Sequence, residues 1–542
     1  MKNLYKNILG AGVMALTLST MTSCMDETEP TTVVTEDQLA TSPSAAKALC
    51  MAMPANFNFA SFFDSWSDDG HCYFGYGSIM HIRDIMTADL GENTTSYSHW
   101  HQWARNKAQG QEYRYAQYFW NYYYQFVLAT NNTIGSINAE TATSEQLGYL
   151  GAGYAFRALC YLDMARMYEF LPNDVTDSIN SNDNNVAGLT CPIVKAGMSP
   201  AEAANNPRAT HAEMAAFIEE DLNLAEEYIV NLNERANNTL PDLACVYGLK
   251  ARLYMWNEDY ANAAIYARKA IDASSVPVIS KERYLDTKTG FNTASDFLWA
   301  ASYTSEDWAV QTGIINWTSW LSNQTDFGYT GPSTGLYNII DAKMYSQISD
   351  TDFRKLLYKA PEGSALVGQE PFLVTSMATD EDVPAYTAIK FRPAQGNTGE
   401  YSVGAVSAYP VMRVEEMYFI EAEAVAHSDE AKGVQLAETF MKTYRDPNYV
   451  CNTRNVVNDI VFQKRVELWG EGQTFYDIKR LNMSVTRGYE GTNHYSEARL
   501  NTNGRPAWMN LVIVQTESNN NEALRGWNNP DPSDLYTPWT GE

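Results

Sequence analysis

Apolar and aromatic residues recur every three or four positions in several long stretches of the chain, which is the spacing of one face of an α-helix. In the segment 113–138, Tyr115, Phe119, Tyr122 and Phe126 follow this spacing. The polar residues between them fall on the other faces. The pattern therefore predicts one long helix with an aromatic stripe.

Two further segments have helical spacing. The first covers 147–170, where its stripe consists of Tyr154, Ala158, Tyr161, Ala165 and Tyr168. The second begins after Thr210, a residue type that caps helix N-termini, and Glu213 stands where a capping box places its acid. This predicts a helix over 211–231.

Small and aromatic residues alternate over 244–272 in the manner of two paired, tetratricopeptide-like helices. A second alanine-rich pair covers 411–427 and 430–445. Long stretches rich in Gly, Pro, Asn, Ser and Thr separate the helical segments: 53–110, 172–210, 277–410 and 481–542. We expect a predominantly α fold in which helix pairs form a scaffold and the loop-rich insertions, mainly 53–110 and 277–410, carry a binding face.

The N-terminus has the pattern of a secretory signal peptide, with two lysines followed by an apolar run from Ile8 to Leu18. Cys24 follows directly after small and hydroxyl residues, and this arrangement resembles a bacterial lipobox, whose cysteine is lipidated. The acidic pair Asp26-Glu27 resembles the export signal of surface lipoproteins in Bacteroidetes. We expect a signal peptide at 1–23, a lipidated flexible tether at 24–42, and one domain at 43–542; the alternative is a plain secreted protein.

The composition narrows the possible partners. The formal net charge is -27, which favours solubility and repels phosphate backbones, so nucleic acid is excluded as a partner. After the signal peptide no stretch of 18 apolar residues exists, so the lipid is the expected membrane attachment. The seven cysteines include no C-x-x-C pair, and we expect free thiols more than disulfides.

Four blocks of the sequence resemble the SusD/RagB family of outer-membrane glycan-binding lipoproteins. They are "FWNYYYQFVLATNNTI" (119–134), "GYAFRALCYLDMARMYEFLP" (153–172), "YPVMRVEEMYFIEAEAVAHS" (409–428) and "IVFQKRVELWGEGQTFYDIKRLN" (460–482). The fourth is the most specific, because its charged residues keep the register of the family's motif: Arg465, Glu467, Glu471, Asp477 and Arg480. Lys464 departs from the motif, since the family usually has glutamate there.

The resemblance implies a SusD-like fold and a surface lipoprotein that captures a glycan and passes it to a SusC-like TonB-dependent transporter. It implies no catalysis and no cofactor, with calcium at most incidental. The Arg, Glu and Asp residues of the blocks that match the family's motifs are expected to form structural ion pairs. The alternatives left open are the same transport role with peptide cargo, a helical-repeat adaptor, and a surface glycosidase using Glu421 and Glu423 or Glu467 and Glu471.

A glycan site needs flat aromatic rings for the C–H faces of sugars, beside polar side chains for the hydroxyls. Two loop stretches, 64–103 and 299–329, meet this need, and the family commonly builds its site from these regions. The first also contains Trp66, Asp68 and Asp69. We expect Trp317 or Trp320 to be the stacking platform, with Trp100 next. The other candidates are Trp103, Tyr73, Tyr76, Asp84, Trp308, Asn323, Gln324 and Tyr329.

Metal binding has weak support in the sequence. His99-x-His101 supplies two ligands without a third at motif spacing. Asp174, Asp177 and Asp183 do not follow the spacing of an EF-hand, so we expect a solvated loop there.

Overall fold

The computed structural model describes residues 43–59, 70–233, 235–288 and 290–541. The predictions for the signal peptide, Cys24 and the tether lie outside the described residues. The same holds for Trp66, Asp68 and Asp69. None of the described helices is both long enough and apolar enough to cross a membrane.

Helices dominate the described chain. They are α1 (Pro43–Ala52), α2 (Tyr76–Ile85), α3 (His101–Ala104), α4 (Arg114–Gly135), α5 (Ser144–Tyr168), α6 (Pro200–Ala203), α7 (His211–Tyr228), α8 (Leu243–Trp256), α9 (Tyr260–Ala273), α10 (Lys281–Leu285), α11 (Trp308–Gln311), α12 (Trp317–Leu321), α13 (Ala342–Gln347), α14 (Tyr401–Gly404), α15 (Val414–Ala426), α16 (Glu430–Tyr444), α17 (Val456–Glu467), α18 (Thr474–Arg480) and α19 (Gln515–Asn520). A 3-10 helix, Met53–Asn58, follows α1.

Strands are short and form two antiparallel ladders in the described part of the chain. They are β1 (Leu90–Glu92), β2 (Trp299–Ser302), β3 (Asn338–Ile340) and β4 (Ala408–Met412). β1 pairs with β3 and β2 pairs with β4. Each ladder therefore joins loop stretches that are far apart in sequence.

The predicted helices are confirmed to within a few residues at their ends. Thr210 caps α7, and its side chain and that of Glu213 form the expected capping box. Helix α5 packs against both α4 and α7. The contact is close because Gly151 lies against the segment after α7: a Cβ at this glycine would approach the backbone nitrogen of Ile229 to 2.5 Å.

The two predicted tetratricopeptide-like pairs are α8 with α9 and α15 with α16. The side chain of Asp259, in the turn between α8 and α9, caps α9 by accepting a hydrogen bond from the backbone of Asn262. Small residues let neighbouring helices approach, and Ala263, Ala267 and Ala270 are fully buried. Helix α9 also packs on α15, so the two pairs form one continuous scaffold although the loop-rich stretch 277–410 separates them in sequence.

The charged residues of the family blocks form buried ion pairs, as expected from the resemblance. Glu467 contacts the guanidinium groups of Arg354, Arg413 and Arg445. Other pairs tie helices together in the same way: Arg157 with Asp221, Arg252 with Glu416, Arg465 with Asp89 and Arg480 with Glu423. The expectation of mostly free thiols also agrees with the described residues, where Cys50, Cys160, Cys191, Cys245 and Cys451 are free and buried; Cys72 is buried too.

Candidate functional site

The two loop stretches that the sequence singled out do meet in the structure. The ring of Trp100 packs edge-on against Trp320, with centroids 5.1 Å apart. The indole nitrogen of Trp320 donates a hydrogen bond of 2.9 Å to the backbone carbonyl of His71. Segments more than 200 positions apart in sequence thus build one surface region.

Four rings from both stretches form what we call the ring cluster: His71, His99, Trp320 and Tyr329. Tyr329 lies flat on Trp320, with centroids 4.2 Å apart and planes 2° from parallel. His99 packs edge-on against both rings at 5.3 Å, and the Tyr329 hydroxyl is hydrogen-bonded to Nδ1 of His71. His71, His99 and Tyr329 are half-buried, so the cluster reaches the surface through them, with Trp320 beneath.

The prediction that Trp317, Trp320 or Trp100 is a stacking platform is wrong, because all three side chains are 0% exposed. Trp317 lies flat against Tyr409 at 4.7 Å and edge-on against Phe391 at 5.1 Å. Because other rings cover Trp317 in this way, it has no open face on which a sugar could stack. These tryptophans instead hold the loops to the core.

The polar neighbours of these tryptophans explain the error. Asn316 caps α12 by accepting a hydrogen bond from the backbone of Ser319, and both residues are buried. Asn323 donates to the carbonyls of Asn338 and Ala388 at 2.9 and 2.8 Å. The polar residues of 316–329 thus satisfy buried backbone groups, as interior polar groups must. They do not indicate an exposed loop.

Several other candidates, from both stretches, are also interior residues. Trp103 and Tyr73 are 2% exposed and Tyr76 is 1% exposed. The Tyr76 hydroxyl donates to the carboxylate of Asp163 at 2.8 Å, so it serves the buried charge network. Gln324 is fully buried as well and accepts from the backbone of Leu373 at 2.8 Å. As ligand contacts, these predictions are wrong because the side chains do not reach the surface.

Asp84 is a buried structural carboxyl and not a ligand contact. It is 2% exposed and accepts a hydrogen bond of 2.8 Å from the backbone N–H of Gly472. Burial raises the pKa of Asp84 to about 8. Between its unfolded pKa near 4 and this value, the folded protein holds a proton that the unfolded chain has lost. This carboxyl therefore makes stability fall as pH rises through that interval.

The variant Asp84→Asn keeps an acceptor for Gly472 and has no proton to lose. We expect its free energy of unfolding, relative to the wild type, to rise by more than about 1 kcal/mol between pH 4 and pH 8. Urea titrations of both proteins across this range measure the difference. Parallel pH profiles for the two proteins would contradict the raised pKa.

One predicted tryptophan does lie at the surface. Trp308 begins α11 and is 47% exposed, and Phe59, which follows the 3-10 helix, is 37% exposed. Both line an open groove of about 420 Å³ with Asn58, Asp307 and Thr304. We call this the Trp308 groove. Its lining is completed by Pro54, Ala55, Ser302 and Ala309.

Hydrogen bonds to the core fix the walls of the Trp308 groove. The Asn58 amide donates to the carbonyl of Ser302 at 2.7 Å, which joins the 3-10 helix to β2. The carboxylate of Asp307 accepts from the backbone of Thr304 at 2.7 Å and so shapes the turn before α11. Tyr409, fully buried, donates to the carbonyl of Phe57 at 2.8 Å. The groove thus presents an aromatic ring and polar groups on a firmly held loop.

The Trp308 groove and the ring cluster stand at the two ends of one sequence segment. Phe59 directly precedes residues 60–69, and His71 follows just after them. Both residues lie in the loop-rich insertion 53–110, but neither is among the site residues predicted from the sequence. A phenylalanine and a histidine next to a polar stretch carry no distinctive pattern, and only their contacts mark them.

The carboxylates of the glycosidase alternative and the histidines of the metal alternative contact other side chains or the backbone. Arginines engage all four carboxylates of the glycosidase alternative: Glu421 by Arg268, Glu423 by Arg480, and Glu467 and Glu471 by Arg413. Among the described residues no group of three or more His, Cys, Asp or Glu side chains is placed to hold a metal ion. His99 belongs to the ring cluster, while Nδ1 of His101 is hydrogen-bonded to the carbonyl of Ser98.

Comparison with known proteins gives consistent results. A family model described as "Starch-binding associating with outer membrane" matches residues 77–255, and a model described as "SusD family" matches residues 379–530. No curated protein matches the chain.

Several solved structures share the fold. A SusD-like carbohydrate binding protein from Bacteroides vulgatus is 19% identical, with a TM-score of 0.68 over 91% of this chain and 99% of that one. A SusD superfamily protein from Bacteroides thetaiotaomicron is 18% identical, with a TM-score of 0.65 over 90% and 99%. Surface glycan-binding protein A from Bacteroides thetaiotaomicron, in complex with laminarihexaose, is 17% identical, with a TM-score of 0.58 over 90% and 100%.

The two family models match separate parts of the chain, and the helical scaffold with its loop-rich face agrees with the fold of these structures over nearly the full length. The charged residues of the sequence blocks form buried ion pairs, as the resemblance implied. On this evidence the chain is a member of the SusD/RagB family.

Proposed function

We propose that this protein binds a polysaccharide or oligosaccharide at the cell surface, without cleaving it, and delivers it to a SusC-like TonB-dependent transporter. The observation that carries the proposal is the Trp308 groove. An exposed indole offers a flat apolar face for the C–H side of a sugar ring. Asp307 and Asn58 beside it offer an acceptor and an amide for hydroxyl groups.

The comparisons support this proposal in two ways. A protein of the same fold carries laminarihexaose, and one matching family model is described as starch-binding. The ring cluster adds half-buried aromatic surface from the same two loop stretches, which is the combination that glycan sites use.

The test is a glycan array with the purified domain, followed by calorimetry on each ligand that binds. Laminarihexaose is the first defined probe, and a set of unrelated oligopeptides tests the alternative of peptide cargo. Each bound glycan is also incubated with the protein and assayed for new reducing ends. We expect binding to at least one glycan and no new ends. Binding of peptides alone, or release of reducing ends, would overturn the proposal.

The membrane part of the proposal rests on Cys24. A lipid on this cysteine would hold the domain at high local concentration beside a transporter in the same membrane. We expect Cys24→Ala to move the protein from the membrane fraction to the soluble or mislocalised fraction, as followed by cell fractionation and surface protease accessibility. The purified domain carrying the change should bind glycan as before. Retention of the variant in the membrane fraction would contradict the lipid anchor.

A further inference from the structure

Three helices of the scaffold meet at one histidine. His211 begins α7, and its ring lies against that of Trp256, the last residue of α8, with centroids 4.0 Å apart. Glu169 directly follows α5, and its carboxylate lies 2.8 Å from Nδ1 of His211. The same carboxylate accepts a hydrogen bond of 2.8 Å from the indole nitrogen of Trp256. One imidazole therefore joins the C-terminal ends of α5 and α8 to the start of α7.

Both ring nitrogens of His211 face an oxygen atom. Nδ1 faces the carboxylate of Glu169, and Nε2 lies 3.1 Å from the side-chain oxygen of Asn257. A neutral imidazole has one N–H and can donate to only one of these oxygens, whereas the imidazolium has two and can donate to both. The geometry therefore suits the protonated ring. We call the group of His211, Glu169, Trp256 and Asn257 the His211 latch.

Glu169 depends on His211 for its counter-charge. The side chain of Glu169 is 5% exposed, and His211 is its only ion-pair partner among the described residues. Lys479 donates to the backbone carbonyl of Glu169 at 2.7 Å and not to its carboxylate. A buried carboxylate that loses its cation is strongly destabilising. Loss of the proton from His211 would leave Glu169 in that state.

A second histidine of the scaffold offers a direct comparison. His427 directly follows α15 and lies 3.9 Å from the carboxylate of Glu423. That carboxylate also contacts Arg480, which stays charged at every pH at which the protein folds. A cation therefore remains beside Glu423 whether or not His427 is protonated. The His211 latch has no such permanent cation on its carboxylate within the described part of the chain.

The charges around His211 favour the imidazolium. Burial lowers the pKa of His211, but the hydrogen bonds to Glu169 and Asn257 and the nearby charge of Glu258 outweigh it, so the pKa lies above the ordinary 6.5. On its own helix, Glu213 adds a carboxylate in the cap, which acts against the positive N-terminal end of α7. Basic groups of other segments act on Glu169 through their charge alone: Arg208, Lys479 and Arg505. The side chain of His211 is 35% exposed, so its proton can exchange with solvent.

We propose that the His211 latch is a pH-dependent contact that holds α5, α7 and α8 together while His211 is protonated and weakens when the proton is lost. The imidazolium neutralises the buried carboxylate of Glu169 and donates to both oxygens. The neutral ring leaves Glu169 without a counter-charge and turns a lone pair of Nε2 towards the oxygen of Asn257.

The sign of the pH dependence follows from the raised pKa of His211. The folded protein holds this proton more tightly than the unfolded chain does. The stabilisation from the His211 latch is therefore fully present below the unfolded pKa near 6.5 and is lost as pH rises through the higher folded pKa. The scaffold should accordingly lose stability on the alkaline side of neutrality.

An NMR titration of the histidine rings of the purified protein, with signals assigned by histidine substitution, tests the protonation of His211. We expect its midpoint to lie above pH 6.5, with both ring nitrogens protonated below the midpoint. Glu169→Gln keeps an acceptor for Trp256 and removes the negative charge, so it should move the midpoint of His211 to lower pH. A wild-type midpoint at or below 6.5, or the same midpoint in Glu169→Gln, would overturn the proposal.

Urea unfolding between pH 6 and pH 9 tests the effect on the scaffold. The wild type should unfold at a higher urea concentration than His211→Gln at pH 6, and this difference should shrink by roughly half or more at pH 9. Groups that titrate alike in both proteins, such as Asp84, cancel in the difference. If His211→Gln does not fold, Glu169→Gln replaces it, because it removes the other partner of the same ion pair.

His427→Gln is the matched control for this measurement. Arg480 remains beside Glu423 in this variant, so its difference from the wild type should change little between pH 6 and pH 9. A difference between the wild type and His211→Gln that stays constant with pH, or that changes no more than the difference for His427→Gln, would show that the His211 latch does not respond to pH.

Discussion

Replacing Glu467 by glutamine is expected to lower the free energy of unfolding by about 3 kcal/mol or more. Glu467 ends α17 and is 1% exposed. Its carboxylate lies 2.7 Å from Nε of Arg445, 3.1 Å from Nη1 of Arg413 and 3.2 Å from Nη1 of Arg354. Removing this charge leaves three buried guanidinium groups with less compensation, which is the costly way to break a buried ion pair.

The pKa of Glu467 determines how the free energy of unfolding changes with pH. The three arginines hold the pKa of Glu467 well below its usual range. Its stabilising contribution is therefore fully present above the unfolded pKa near 4.3 and is lost as pH falls through the lower folded pKa. The gap in stability between the wild type and Glu467→Gln should accordingly narrow on acidification below about pH 4.

Urea unfolding at neutral pH measures the effect, and Glu438→Gln is the matched control. Glu438 pairs with Lys442 one turn along an exposed face of α16, with a side chain 26% exposed. Exposed pairs of this kind contribute less than about 1 kcal/mol. A loss for Glu467→Gln no larger than that of Glu438→Gln would show that the buried cluster does not hold this part of the scaffold together.

Trp308→Ala is expected to lower the affinity for a bound glycan by about 2 kcal/mol, which is roughly 30-fold in Kd. Trp308 is the one sequence-chosen tryptophan that lies at the surface within the described residues. Its loss would remove the flat face of the Trp308 groove and leave the polar groups of Asp307 and Asn58 without a platform beside them. Because the ring is half exposed, the change should cost the fold little.

Calorimetry with the glycan found by array measures this effect, and Trp308→Phe should retain part of the affinity because a smaller ring remains. Trp527→Ala is the matched control, since Trp527 is 39% exposed and lies outside the groove. Unchanged glycan affinity in Trp308→Ala would show that the glycan does not bind in the Trp308 groove. The ring cluster of His71, His99 and Tyr329 would then be the next surface to test.

Much of the scaffold was predictable because its signals are local. The spacing of Tyr115, Phe119 and Tyr122 predicts α4, and the pairing of Thr210 with Glu213 predicts where α7 begins. The charged residues of the fourth block were expected to be structural, and Glu467 and its arginines confirm this. A helix period or a cap depends on residues within a few positions of each other, so the chain itself carries the information.

The meeting of two loop stretches was also predictable, but only from the resemblance to a family. Nothing within 64–103 specifies its contact with 299–329. The contact depends on Trp100 packing against Trp320 and on the bond from Trp320 to His71. The His211 latch was not foreseen at all, because it takes residues from segments that come together only after the helices pack.

The sequence by itself determined the helical scaffold, its caps, its paired helices and the family to which the chain belongs. The tertiary structure alone decided which aromatic rings face the solvent. Trp317 and Trp308 have similarly polar neighbours in sequence. Tyr409 and Phe391 nevertheless cover the ring of Trp317, whereas the ring of Trp308 lies at the surface. Those covering rings come from residues far along the chain. Exposure is set by such long-range packing, which local polarity does not encode.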